Sequence, residues 1–157
     1  MRYILTILLF LMINCDDEKD KTSTNDIIKI LYISDNLTYD IMENFYILDQ
    51  RFKEPGRYSS KMTTEEINII KKVVIEEKLY KLNDSLKFVK SCANKGCLSE
   101  ILIHYKSGRK QHFIFDNSNY KNNFNNRSYM KIISLEDTIG KIFRSKKIDP
   151  EPVNMYF

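Results

Sequence analysis

Two stretches of alternating apolar residues, separated by Lys106-Ser107-Gly108, constrain this chain more than any other feature. Residues 98–105 and 109–116 read as paired strands, with Gly108 in the left-handed position of a three-residue loop. That geometry puts Ile101, Ile103, Tyr105, Phe113 and Phe115 on one face. A slip of one residue would turn the whole apolar set toward water, so the hydrophobic pattern and the turn specify the same register. His104 and His112 then share the opposite face, offset from each other, with Glu100 and Asp116 nearby.

Other local signals extend the picture. Residues 27–34 are β-branched and apolar enough for a strand. Residues 44–52 follow as a second, with Phe45 and Ile47 on one face and Tyr46, Leu48 and Phe52 on the other. Glu54-Pro55-Gly56-Arg57 fits a type II turn, after which residues 57–62 return as a third strand. Thr63 and Glu66 form a capping box, with Met62 and Ile67 as its hydrophobic staple. The helix so started, 64–78, presents Ile67, Ile70 and Val74, with Ile69 and Val73 beside them. Residues 86–90 add a short strand. A last helix begins at Ser134, capped with Asp137, and carries Leu135, Ile139, Ile142 and Phe143. It ends in Arg144, Lys146 and Lys147, which suit a helix C-terminus. Pro150 and Pro152 make 149–157 an extended tail. The expected fold is α+β, an antiparallel sheet of about five or six strands with two helices packed on one face.

The beginning of the chain has a different character. Met1-Arg2 is a positive start, and Ile4 to Ile13 is apolar apart from Thr6. As a helix that run rises roughly 15 Å, half of the ~30 Å hydrocarbon core of a bilayer, so residues 1–14 read as a signal peptide rather than a permanent span. The run stops at Leu11-Met12-Ile13-Asn14-Cys15, followed by Asp16-Asp17-Glu18-Lys19-Asp20. This resembles a bacterial lipobox, with Met12 and Asn14 in place of the usual leucine and small residue. The resemblance implies diacylglycerol on the Cys15 thiol and cleavage before it. Residues 15–26 are then a lipidated cysteine and a polar tether. Fully extended, residues 16–26 reach ~36–40 Å, and as flexible coil ~15–20 Å, which keeps the domain of residues 27–148 close to a membrane. An acidic run after the cysteine resembles the surface-export signal of Bacteroidota-type lipoproteins, whereas enteric-type sorting reads an aspartate there as inner-membrane retention. The reading favours the outer membrane, its outer leaf included, and leaves the inner membrane open.

A second resemblance covers residues 27–145. The run Gly56-Arg57-Tyr58-Ser59-Ser60-Lys61-Met62-Thr63-Thr64-Glu65-Glu66, continuing through Leu79-Tyr80-Lys81-Leu82 to a hairpin and a last helix, resembles an uncharacterised small α+β domain of Bacteroidota lipoproteins. Residues 35–44 lack the Cys-Pro-rich stretch of that family's members. The likeness implies fold and location, and no activity. Asp84-Ser85-Leu86 likewise resembles the short O-glycosylation acceptor of exported proteins from the same group.

The remaining side chains narrow the chemistry. The chain has three cysteines; with Cys15 acylated, Cys92 and Cys97 remain, separated by a turn-forming Ala-Asn-Lys-Gly. Outside the cytoplasm such a pair reads as a disulfide, nominally worth ~2 kcal/mol in so short a loop; free thiols are the alternative. Two thiols and two histidines without finger spacing do not read as zinc ligands. The formal charge of +4 is interspersed, giving no field suited to nucleic acid. Only four glycines occur, too few for a phosphate-cradling loop, so no nucleotide or other cofactor is expected. No serine sits in a nucleophile elbow, and no catalytic residue is assigned. The segment 117–128 carries six asparagines around Tyr120 and Phe124, with Arg127 near its end. Aromatic rings among amides can stack on sugars or dock a protein, making these three the candidate contact residues. The sequence reads as an envelope lipoprotein with a binding or accessory domain, its partner an envelope protein or glycan. An inhibitor of an extracellular protease or lysozyme-type hydrolase is the first alternative. A hydrolase with a folded carboxylate or histidine site is the second.

Overall fold

The computed structural model describes residues 22–34, 37–89, 98–116 and 120–146. Cys15, Cys92 and Cys97, with the expected signal peptide (1–14) and extended tail (149–157), lie outside them. Seven strands make one sheet: β1 (Ile27–Ser34), β2 (Leu37–Asp40), β3 (Phe45–Leu48), β4 (Gly56–Ser59), β5 (Ser85–Phe88), β6 (Leu98–Tyr105) and β7 (Lys110–Asp116). Their spatial order is β4-β3-β2-β1-β6-β7-β5. Three α-helices are described, α1 (Thr64–Glu76), the single-turn α2 (Tyr120–Asn123) and α3 (Arg127–Ser145).

The β6–β7 register is the one the sequence demands. Ile101 pairs with Phe113 and Ile103 with Gln111, and the Tyr105 amide donates to the Arg109 carbonyl around Gly108 at φ 85°. Ile101, Ile103, Tyr105, Phe113 and Phe115 are all buried. β1 joins this hairpin through a bulge between Ile27 and Lys29. The extra residue lets both Ile27 and Ile30 face the core while Ile28 points to solvent.

The fold is α+β, but the sheet is mixed rather than antiparallel and has more strands than expected. β5 runs parallel to β7, with Leu86 beside Phe113 and Phe88 beside Phe115. Apolar periodicity identifies a strand and its inward face but not its partner. β2 was not anticipated, because Leu37-Thr38-Tyr39-Asp40 has too little apolar character to stand out. The second and third expected strands are shorter, and the type II turn does not form. Gly56 already pairs with Leu48 in β4, at φ 155° instead of the roughly 80° such a turn requires. Residues 24–26, assigned above to the tether, form a 3₁₀ turn tied to the domain by the Lys106 amide donating to the Asp26 carbonyl.

Both long helices cover one face of the sheet. α1 starts as expected: the Glu66 amide donates to Thr63 Oγ1 at 3.2 Å, and the Thr63 amide to Glu66 Oε2 at 2.7 Å. Ile70 and Val74 are buried, whereas Ile69, placed on the apolar face by sequence, points outward. α3 begins seven positions before Ser134. Its N-cap is Asn126, whose Oδ1 accepts from the Ser128 and Tyr129 amides. Ser134 lies inside the helix and donates to Glu77 Oε1 at 3.1 Å. The two helices are antiparallel, pinned at the other end by a 2.6 Å pair between Lys146 and Glu66. α3 crosses the sheet diagonally. Tyr129 meets Phe88 of β5 edge-on at 5.4 Å, Glu136 lies over β1 and β6, and Phe143 stacks on Tyr39 of β2 at 3.9 Å. No helix among the described residues is long and apolar enough to cross a membrane.

Two polar devices hold the connections. Asn44, at φ 56°, donates from Nδ2 to the Met62 carbonyl and accepts on Oδ1 from the Met62 amide and Ser60 Oγ. Buried Gln111 donates to the carbonyls of Leu79 and Leu82 and accepts from the Tyr105 hydroxyl. Replacing Asn44 by Ala should cost about 2–4 kcal/mol, through lost bonds and a strained left-handed backbone. Asn44→Gly should recover the backbone share, so equal urea midpoints for the two variants would refute the account. Glu66, with Asp26 and Asp49, contributes to the acid-range pH dependence. Its hydrogen bonds from Lys146 and the Thr63 amide lower its pKa. Its contribution is therefore complete above the unfolded glutamate pKa and disappears as pH falls through the lower folded value. Urea midpoints across the acid range should fall less steeply in Glu66→Gln than in the parent chain.

Candidate functional site

The register aligns Ile33 with Glu100 and Leu98 with Asp116, so Ser34, Leu98 and Asp116 sit at one end of the sheet. α3 crosses the sheet there and leaves a cleft of about 610 Å³ along its outer side, within the size range of small-ligand sites. β1 supplies Tyr32 and Ser34, and α2 supplies Tyr120. α3 supplies Tyr129, Ile133, Glu136, Asp137, Gly140 and Arg144. Helical spacing explains the α3 set, since 129, 133, 136, 137, 140 and 144 recur at three- and four-residue steps on one stripe.

Glu136 is the organised group of this cleft. Its Oε1 accepts from the Tyr32 hydroxyl at 3.0 Å and from Ser99 Oγ at 3.2 Å. Ser99 also lies 3.3 Å from Ser34 Oγ. With its one proton directed to the carboxylate, Ser99 accepts from Ser34, and the chain of hydroxyls is satisfied. Burial first, and the Glu136 charge second, push the Tyr32 phenol far above its ordinary range.

Tyr129 differs. Its side chain is fully buried, and its hydroxyl has no hydrogen-bond partner among the described residues. Its pKa is raised by desolvation, then by the negative charges of Glu136 and Asp116. The Tyr120 ring, 48% exposed, stands 6.5 Å from it at the rim. On the far side, the Arg144 guanidinium lies across Gly140, where a Cβ would come within 3.2 Å of Nη1. Arg144 makes no hydrogen bond or ion pair among the described residues.

Of the three candidate contact residues, Tyr120 lines this cleft. Phe124 is 55% exposed and outside the lining, and Arg127 is the exposed first residue of α3. Cys15, Cys92 and Cys97 fall outside the described residues. His112 Nε2 lies 2.7 Å from Glu100 Oε2 on the open sheet face. His104 sits opposite Lys110 across the hairpin, its pKa lowered by desolvation and then by Lys110 and Lys29. Asp116 does not join them on the wet face, because its side chain is buried near Tyr129. Among the described residues, no three His, Cys, Asp or Glu side chains gather as metal ligands. Sequence reading missed Tyr32, Tyr129, Glu136 and Arg144 as a group. Their only early signal was the helical spacing of the last three, concealed by starting α3 at Ser134.

A stranded phenol predicts an unusual mutational result. Tyr→Phe ordinarily loses a hydrogen bond, but Tyr129→Phe removes a buried hydroxyl with no partner to lose. It should leave stability unchanged or raise it by up to about 1 kcal/mol. Tyr32→Phe should lower it by a similar amount, and thermal melts of both variants check the contrast. No family model, curated protein or solved structure matches this chain.

Proposed function

We propose that this chain is a lipid-anchored lipoprotein of the cell envelope, of the Bacteroidota kind, whose small α+β domain binds an envelope ligand in the cleft beside α3. The observation that carries the binding part is the cleft itself, about 610 Å³ and lined among the described residues by polar side chains of β1, α2 and α3, with the Arg144 guanidinium unpaired on it. The half-exposed Tyr120 ring at the rim offers a stacking surface.

The anchoring part rests on sequence. An apolar run too short to span ends in Cys15 and a charged stretch. Several acyl chains on one cysteine would hold the domain firmly, where one would bind only marginally. The ordered turn at Thr24–Asp26 leaves residues 16–23 between lipid and domain. That length reaches at most ~26–29 Å, so the domain works within about one protein diameter of the bilayer.

Radiolabelled palmitate should enter the parent chain and not Cys15→Ser, and the variant should move from the membrane to the soluble fraction. On immobilised envelope polysaccharide from the producing cell, Tyr120→Ala should lose retention while Phe124→Ala keeps it. Membrane-bound Cys15→Ser would refute the anchor. Retention indifferent to Tyr120 would refute the cleft.

A further inference from the structure

The cleft's chemistry is more particular than that of a generic pocket. Among the described residues that line it, Ile133 is the one aliphatic side chain; the others are hydroxyl-bearing, carboxylate or guanidinium side chains and a glycine. Peptide anchors fill apolar pockets, so a lining of this kind favours a ligand with many hydroxyls. Two features add direction. Tyr120, about half exposed, presents a ring face among the lining residues. Arg144 is held flat along α3 by the missing side chain at Gly140, its charge engaged by no carboxylate among the described residues. A free guanidinium presents a planar fork that matches a carboxylate bidentately.

We propose that the cleft takes a sugar ring bearing a carboxylate, a hexuronate-type unit of an acidic glycan. The ring lies on Tyr120, its carboxylate meets Arg144, and its hydroxyls reach the Ser34–Glu136 network. The assignment rests on the cleft being the ligand site. It also gives Gly140 a purpose. Any side chain there would crowd Nη1 and shift the fork, although alanine is the better helix former.

The test is calorimetric titration of the full chain in detergent with two probes, a galacturonate trimer and a neutral galactose trimer. The acidic trimer should bind at least roughly ten-fold tighter, as expected for one charge-assisted bidentate pair. Arg144→Gln should abolish that preference. Arg127→Gln, which removes the same charge outside the cleft, should leave it intact. Gly140→Ala should weaken the acidic trimer several-fold while the melting temperature holds or rises, which a merely structural role for Gly140 would not produce.

Equal affinity for the two trimers, or a preference that survives Arg144→Gln, overturns the carboxylate assignment. If Tyr120→Ala still weakens both trimers in that case, the cleft remains the ligand site and only the charge reading falls. If neither trimer binds, the sugar assignment is lost outright, and retention on the native polysaccharide judges the cleft separately.

Discussion

The pairing of β6 with its two neighbours is the constraint on which the rest of this molecule depends. β6 lies between β1 and β7, and its odd-numbered residues, Ser99, Ile101, Ile103 and Tyr105, all face the helices. Gly108, at φ 85°, closes the hairpin in a conformation that other residues adopt at a cost of about 1–2 kcal/mol. Moving β6 by one residue would send Ile101 and Ile103 to water and draw Glu100 and His104 into the core. It would also remove Ser99 from beneath α3, where it supports Glu136. The register that makes the core therefore also prepares the floor of the cleft.

From this centre the aromatic residues organise one half of the sheet. Tyr32, Tyr39, Tyr46 and Tyr58 face one another across β1 to β4, with successive ring centroids 6.0, 5.8 and 5.5 Å apart. Phe143 closes onto Tyr39 and fixes where the last turns of α3 can lie. The other end of the helix is fixed by Tyr129 against Phe88 on the parallel edge strand. Held at both ends, α3 runs obliquely over the sheet and leaves space on its outer flank. The cleft follows from that crossing geometry, and Tyr32 belongs both to the ladder and to the cleft.

What the sequence revealed divides by range. β1, the β6–β7 hairpin and the start of α1 were legible because neighbouring residues carry them: alternation, one glycine in a loop, Thr63 with Glu66. Ile69 was misplaced because apolar character alone does not say which of two adjacent helix positions faces inward. α3 was shortened because Asn126, its true cap, was one asparagine in a run of them, while Ser134 stood before a clearer apolar stripe. The parallel docking of β5 was illegible, since Leu86 and Phe88 would alternate identically against any partner. The cleft was least legible of all. Tyr32, Tyr120 and Tyr129 come from three elements, and only the sheet register and the true start of α3 bring them together. Of these three, the sequence marks Tyr120 alone, by its aromatic ring among amides.

The two tyrosines nearest Glu136 differ in how their hydroxyls are bonded within this small volume. Tyr32 and Ser99 both donate to the carboxylate, and removing either would take one hydrogen bond from a charge at the edge of the core. Tyr129 is equally buried but gives its hydroxyl to nothing among the described residues. A phenylalanine would fill the same space against Phe88 without that cost. Packing thus explains the ring of Tyr129 but not its oxygen. Gly140 likewise weakens its helix, and it leaves Arg144 room to lie flat. Two locally unfavourable choices, both at residues that line one cleft, are what the proposed ligand site would account for in a fold otherwise well satisfied.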